Sequence, residues 1–465
     1  MNSAIPFPAD IELPVLRARD ASLHWPLIAR LCICVVPAMA SLGFGHLILG
    51  ARYLALSLFI FLGYLLVKGD KYEYIALAVG ALPALGFFRE VFFYFSTIVF
   101  LGGGLVLWAC VARKDIKFVW GDLTWRCLVF LSILYWWLSL LHTGDYASNA
   151  RLLDYIFSAT AIYLLADRRS WLATALVGLG ITSSLLALSL LPYGDRLGTA
   201  EIDNMHVGNP ILMGVPSAMV LLLALADNGR WLLLENYPFG RVFLALVSGE
   251  WLVLSGSRGS WAITTICLTL LLLFSKLGRK ALLGCVAIIS LVTVLVLLSN
   301  RGAKIQTVFE KTVDSDRTLK NRTSFRSVQW AAMPQVFLAS PIWGWGPGSG
   351  KNVAFLYTGR HLAWHALYLQ VIGETGLIGL IALLWILGSL LRRGISHLRR
   401  WGEITPLIGI VAYMALGMSV SGFDALSGIF LGLAFMTRER APRLASREVW
   451  IGPTASVESI VPPLS

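Results

Sequence analysis

Long apolar runs alternate with short polar connections along nearly the whole chain. They fall near 25–49, 51–67, 74–88, 91–112, 124–142, 152–166, 170–193, 209–226, 241–256, 260–275, 281–299, 364–391, 405–421 and 425–437. Each is apolar on all sides. None has the one-sided stripe of a surface helix or the strict alternation of a barrel strand. About 20 such residues make one crossing of a bilayer, and in lipid the backbone of such a run is satisfied only as a helix. The pattern therefore predicts an all-α polytopic membrane protein. Several runs are short for a full crossing, so about 12 and at most about 14 transmembrane helices are expected.

Composition agrees with this reading. Of 465 residues 57% are hydrophobic and 14% charged, with mean hydropathy +0.73. Soluble domains are about half apolar and about a quarter charged. A soluble enzyme, a disordered chain and a nucleic-acid partner are excluded, and membrane lipids are the surrounding solvent. The net charge of +12 resides largely in short connections: Lys68/Lys71, Arg113/Lys114/Lys117, Arg168/Arg169, Arg230, Lys276/Arg279/Lys280, Arg392/Arg393/Arg399/Arg400, and the tail with Arg438, Arg440, Arg443 and Arg447. Crossing the runs alternately puts all of them on one side. Positive connections stay cytoplasmic, so both termini are expected inside. The six cysteines lie in or beside apolar runs without metal or disulfide spacing beyond the isolated Cys32/Cys34 pair, and the N-terminal stretch lacks the features of a removed signal peptide.

The opposite side receives 143–151, 194–208, 257–259 and the long segment 300–363. That last segment holds nine bases against three acids. Contact with anionic lipid head groups explains such a bias. So does a pocket for an anionic substrate, since the arginine fork matches phosphate oxygens. Residues 340–350, Ser-Pro-Ile-Trp-Gly-Trp-Gly-Pro-Gly-Ser-Gly, form a turn. Its amides either approach a ligand or belong to a surface turn anchored by Trp343 and Trp345. No Lys-Ser/Thr pair follows, so ATP use is unsupported. His365 lies at the mouth of the next helix, as a structural hydrogen-bonding residue or as an acid–base group. Arg258, in a very short external turn, either snorkels or uses the room left by Gly256, Gly259, Ser255, Ser257 and Ser260 to meet a ligand.

Together these residues resemble the O-antigen ligase and polymerase family of bacterial envelope glycosyltransferases. The resemblance runs from Arg196 to Leu380. It rests on Ser257-Arg258-Gly259, Arg326-Ser-Val-Gln-Trp330, the turn Pro341–Gly348, and His365 followed by Tyr368-Leu369-Gln370, Glu374 and Gly376-Leu377-Ile378-Gly379. Arg196 with Gly198, and Asn209-Pro210, match more weakly. The family commonly has Asn after the His, where this chain has Ala366.

The resemblance implies a fold like that of the GT-C-type glycosyltransferases, in a bacterial inner membrane. The expected divisions are a cytoplasmic tail 1–24, a helical bundle 25–299, a long periplasmic loop 300–363, C-terminal helices 364–437 and a cytoplasmic tail 438–465. It implies an O-antigen ligase that moves a glycan from undecaprenyl diphosphate to a lipid A-core hydroxyl, with inversion and without metal, ATP or cofactor. His365 would be the general base. Arg258 and Arg326 would hold the diphosphate, joined by Arg196 and Arg322, with His361, Gly346 and Tyr368 as further candidates. A polymerase using the same donor is the alternative. A transporter or flippase of lipid-linked sugars is the alternative of another class, expected to carry charges near the midplane and two related halves. Glu250 is the main charge inside a run, and no internal duplication is evident.

Overall fold

The computed structural model describes residues 25–32, 70–85, 101–111, 119–142, 146–190, 199–202, 205–208, 210–274, 326–361, 364–419 and 423–436, with isolated positions between 35 and 65 and between 283 and 310. Both expected tails, and most of 300–325, lie outside this set. In chain order the elements begin with α1 (Lys71–Gly80), α2 (Gly103–Val111), α3 (Leu123–His142), α4 (Tyr146–Leu165) and α5 (Arg169–Leu190). A hairpin of β1 (Thr199–Ile202) and β2 (Met205–Gly208) follows, then α6 (Pro210–Leu225), a 3-10 turn (Ala226–Leu232), α7 (Pro238–Leu254) and α8 (Arg258–Phe274). The last are α9 (Arg326–Ala339), α10 (Gly350–Thr358), α11 (Leu367–Trp401), α12 (Thr405–Gly417) and α13 (Ala425–Phe435).

The all-helical expectation is amended by that hairpin, which pairs Thr199 with Gly208 and Ile202 with Met205. Elsewhere the helices begin where the chain supplies caps. Asp70, Asp122 and Asp424 accept from the amides of Tyr72, Thr124 and Ser427 at 2.8, 2.9 and 2.7 Å. Proline stands in the first turns of α7 and α12, where its missing N–H costs nothing.

Among the described residues, Leu123–His142, Arg169–Leu190, Pro210–Leu232 and Leu367–Trp401 are long and apolar enough to cross a bilayer, while α8, α12 and α13 are apolar but shorter. The chain is a membrane protein. Its core is built by α13 packing on α4 and α12, α5 on α1, and α11 on α3 and α12. Small residues permit the closest approach: a Cβ on Gly428 or Gly432 of α13 would lie 2.5 Å from Tyr155 O or 2.7 Å from Ile162 Cβ of α4.

One end of the bundle is tied by charge. Arg393 makes two hydrogen bonds to Asp122, one of 2.8 Å. Arg230 pairs with Glu403, which also meets His397 at 3.1 Å. Arg169 donates to Arg230 O and to Glu235. Asp227 accepts from the amides of Ile404 and Thr405 at 2.9 and 3.0 Å, capping α12 from a distant part of the chain. Arg168 lies over the Tyr72 ring, beside Lys71. The described basic connections at 71, 168–169, 230 and 393 therefore gather at one end of the bundle.

Candidate active site

The remote end is assembled from three helix starts. Gly256 takes a positive φ of 60° and turns the chain from α7 into α8. The buried hydroxyls of Ser257 and Ser260 meet at 2.9 Å. They face Gly214 of α6, where a Cβ would sit 2.6 Å from Ser260 Oγ, so α6 closes directly on the start of α8. Arg258 is thus the first residue of a packed helix rather than part of a free turn, a correction to the sequence reading. Arg326 is likewise the first residue of α9, and neither helix has an acidic residue in its first turn.

Two cations at helix N-termini oppose the helix dipoles. They also feel each other: burial, and then the charge of Arg258, push the Arg326 guanidinium below its usual value. Arg326 Nε is buried with no hydrogen-bond partner among the described residues. His365 is exposed, two residues ahead of α11, between the buried Trp364 and Ala366. Partial burial, and then the charge of Arg326, hold its imidazole below the ordinary histidine value. Arg326 thereby lies within electrostatic reach of both Arg258 and His365, which come from stretches distant in the chain.

The expected loop is largely helical where described. α9 and α10 share a small core of Met333, Val336, Val353 and Ala354 with Trp364, Ala366 and Leu369. Between them the glycine turn docks on a break in α11. Gly376 (φ 62°, ψ −152°) interrupts that helix and releases backbone groups from its ladder. Trp345 N–H and Gly346 N–H donate to Gly373 O and Glu374 O at 2.8 and 3.0 Å, and Leu377 N–H donates to Pro341 O at 2.8 Å. The Gly346 amide is therefore engaged inside the protein rather than offered to a ligand. Trp345 also turns inward, its indole donating to Val336 O at 3.0 Å, while Trp343 stays exposed.

Of the remaining candidates, His361 is exposed and stacks on Phe355 at 4.3 Å. The Tyr368 hydroxyl donates to Met414 O at 3.0 Å. Arg196 and Arg322 lie outside the described residues. The sequence reading assigned no role to Glu374, whose side chain is 3% exposed and accepts from Gly348 N–H at 3.3 Å and from Gln370 Nε2 at 3.2 Å. A carboxylate two residues before a glycine inside an apolar run was the available signal. His142, at the end of α3, lies against Gly346. Among the described residues no group of three or more His, Cys, Asp or Glu side chains is placed to hold a metal ion. A cavity of about 710 Å³, lined by Leu391, Arg392, Ile395, Ser396, Arg399 and Arg400, lies at the other end of α11, apart from this cluster.

Fold and site define a helical membrane protein with a cationic, histidine-bearing cluster remote from its belt of ion pairs. Residues 243–384, under half of the chain, match the family model described as O-Antigen ligase, and over that stretch the chain is similar to that family. The matched segment contains Arg258, Arg326, the glycine turn and His365, and begins after Arg196. The family points to glycosyl transfer of ligase or polymerase type, with lipid-linked glycan and lipid A-core as its general substrates. No curated protein is similar enough to the chain to match it.

Proposed function

We propose that the protein is an O-antigen ligase that transfers a glycan from undecaprenyl diphosphate to a hydroxyl of lipid A-core at the periplasmic face of the bacterial inner membrane. Both termini are then cytoplasmic, on the side of the ion-pair belt. The observation that carries this reading is the pairing of Arg258 with Arg326, each at a helix N-terminus. Two guanidinium groups so placed repel each other and oppose the helix dipoles, and helix N-termini with arginine forks suit phosphate oxygens.

In this reading the guanidinium groups bind the diphosphate and stabilise the charge that grows on its leaving oxygen, commonly a large catalytic term. His365 accepts the proton of the acceptor hydroxyl as that oxygen attacks the anomeric carbon. The bond from that carbon to the diphosphate oxygen breaks, and the leaving group departs with the electron pair. Attack from the face opposite the leaving group inverts the centre. A depressed imidazole pKa keeps the base unprotonated near neutral pH. The leaving group needs neither ATP nor metal to depart.

The test is reconstitution of the full chain in liposomes with lipid-linked glycan and purified core lipid. Wild type should glycosylate the core lipid, and His365→Ala should not, at equal protein. Undiminished transfer by His365→Ala removes the base. Long glycans built on the carrier without core lipid would make the protein a polymerase.

A further inference from the structure

We propose that the corner between α9 and the glycine turn, Leu338 to Trp343, is inserted into the bilayer surface as an anchor beside the cationic cluster. Its partner is the head-group and acyl boundary of membrane phospholipid. This inference goes beyond the glycosyl-transfer reading and does not depend on it.

The corner continues a lipid-facing surface. Beyond Gly376, α11 presents Leu377, Ile381, Leu384 and Trp385 outward, at the spacing of one helix face. Leu377 N–H is fastened to Pro341 O at 2.8 Å, and Gly376 Cα lies so close to Ile342 that a Cβ would be 2.4 Å from Ile342 O. The top of that stripe therefore abuts Ile342 and Trp343, which are 54% and 53% exposed, with Leu338 at 74%. No charged residue interrupts 338–343.

These side chains are not a core left uncovered. α9, just before the corner, already buries Met333 and Val336 in the small core that holds Trp364. Trp345 is turned inward while Trp343 faces out, so the turn presents two separate apolar faces. Irregular backbone is normally excluded from hydrocarbon because its polar groups go unsatisfied. Much of this corner avoids that cost. Pro341 has no N–H and its carbonyl accepts from Leu377, while Ser340 N–H and Gly344 N–H bond to Phe337 O and Ser340 O at 3.2 Å each. An amphipathic element of this kind lies in the interface with its apolar face about 5–10 Å deep, and tryptophan favours that depth.

The experiment places a photoreactive benzophenone amino acid at 338, 342 or 343 in the full chain, in native membranes. Position 381 on α11 serves as the lipid-facing reference, and exposed Asn352 as the polar one. Phospholipid adducts, read as a mass shift on the chain, are expected at 338, 342 and 343 as at 381, and not at 352. A chain-to-chain product at 343, or no lipid adduct at all three while 381 reacts, overturns the proposal. The unmodified chain in lipid nanodiscs gives a second measurement. The peptide spanning 338–343 should be labelled by a lipid-borne carbene and protected from a water-soluble one, and the reverse pattern refutes insertion. Neither readout involves glycan transfer, so failure here is separate from failure of the ligase reading.

Discussion

Replacing Gly376 by alanine tests whether the docking of the glycine turn depends on the break in α11. The residue adopts φ 62° and ψ −152°, a region nearly closed to L side chains. An added Cβ would lie 2.4 Å from Ile342 O, 2.6 Å from Ile342 C and 2.7 Å from Gly344 N. All three are backbone atoms, held in place by the bonds from Leu377 to Pro341 and from Gly346 to Glu374, so none can swing away. Backbone strain contributes about 1–3 kcal/mol and overpacking about 1–3 kcal/mol more. Lower entropy of the unfolded chain returns only about 0.4–1 kcal/mol. The expected loss is thus about 1–6 kcal/mol, a large part of a stability commonly near 5–15 kcal/mol.

Gly388, on the same helix, is the internal control. A Cβ there meets nothing within 4 Å, so Gly388→Ala should be neutral or stabilising by up to about 1 kcal/mol. Heating each purified variant in detergent and measuring the monodisperse fraction compares them. Gly376→Ala should aggregate well below wild type, and Gly388→Ala at or above it. If the two variants survive heating equally, positive φ and close docking do not hold this corner.

Further expectations concern charge. Because His365 is held below its ordinary value of 6.5, the acid limb of kcat/KM for transfer should have its midpoint below that pH, and Arg326→Gln should move the midpoint upward. A wild-type midpoint at or above 6.5 contradicts the assigned base. Arg258→Lys with Arg326→Lys keeps the charge but loses the fork, and each charged hydrogen bond lost costs about 1.5–3 kcal/mol, so donor KM should rise about tenfold or more. Unchanged donor KM would exclude bidentate binding. Arg393→Ala strands the largely buried Asp122 carboxylate and should cost about 1–3 kcal/mol in the same heating assay, with Arg393→Lys recovering part of it. Equal survival of wild type and Arg393→Ala would show that this pair contributes nothing measurable.

Much of the helical plan was legible from apolar runs alone, because a run that must satisfy its backbone in lipid has one solution. The expected 124–142 and 170–193 correspond to Leu123–His142 and Arg169–Leu190. The run at 364–391 was underread. α11 continues to Trp401 through Arg392, Arg393, Arg399 and Arg400, a polar helix end invisible to hydropathy and fastened by Asp122. The segment after residue 300 was expected as a loop because its apolar positions are sparse. α9 and α10 form there by packing on each other and on Trp364.

The sequence by itself also determined which chemistry was available, since arginine, histidine and glycine at 258, 326, 346 and 365 are readable letters. Only the tertiary structure decided which of them meet. The reach of Arg326 to Arg258 and to His365, the inward turn of Trp345 and the engagement of the Gly346 amide by Glu374 O all depend on contacts between stretches far apart in the chain. Hydropathy and charge are properties of a segment and survive a local reading. The energy of a like-charge pair or a docked turn belongs to two segments at once, and exists only when the fold brings them together.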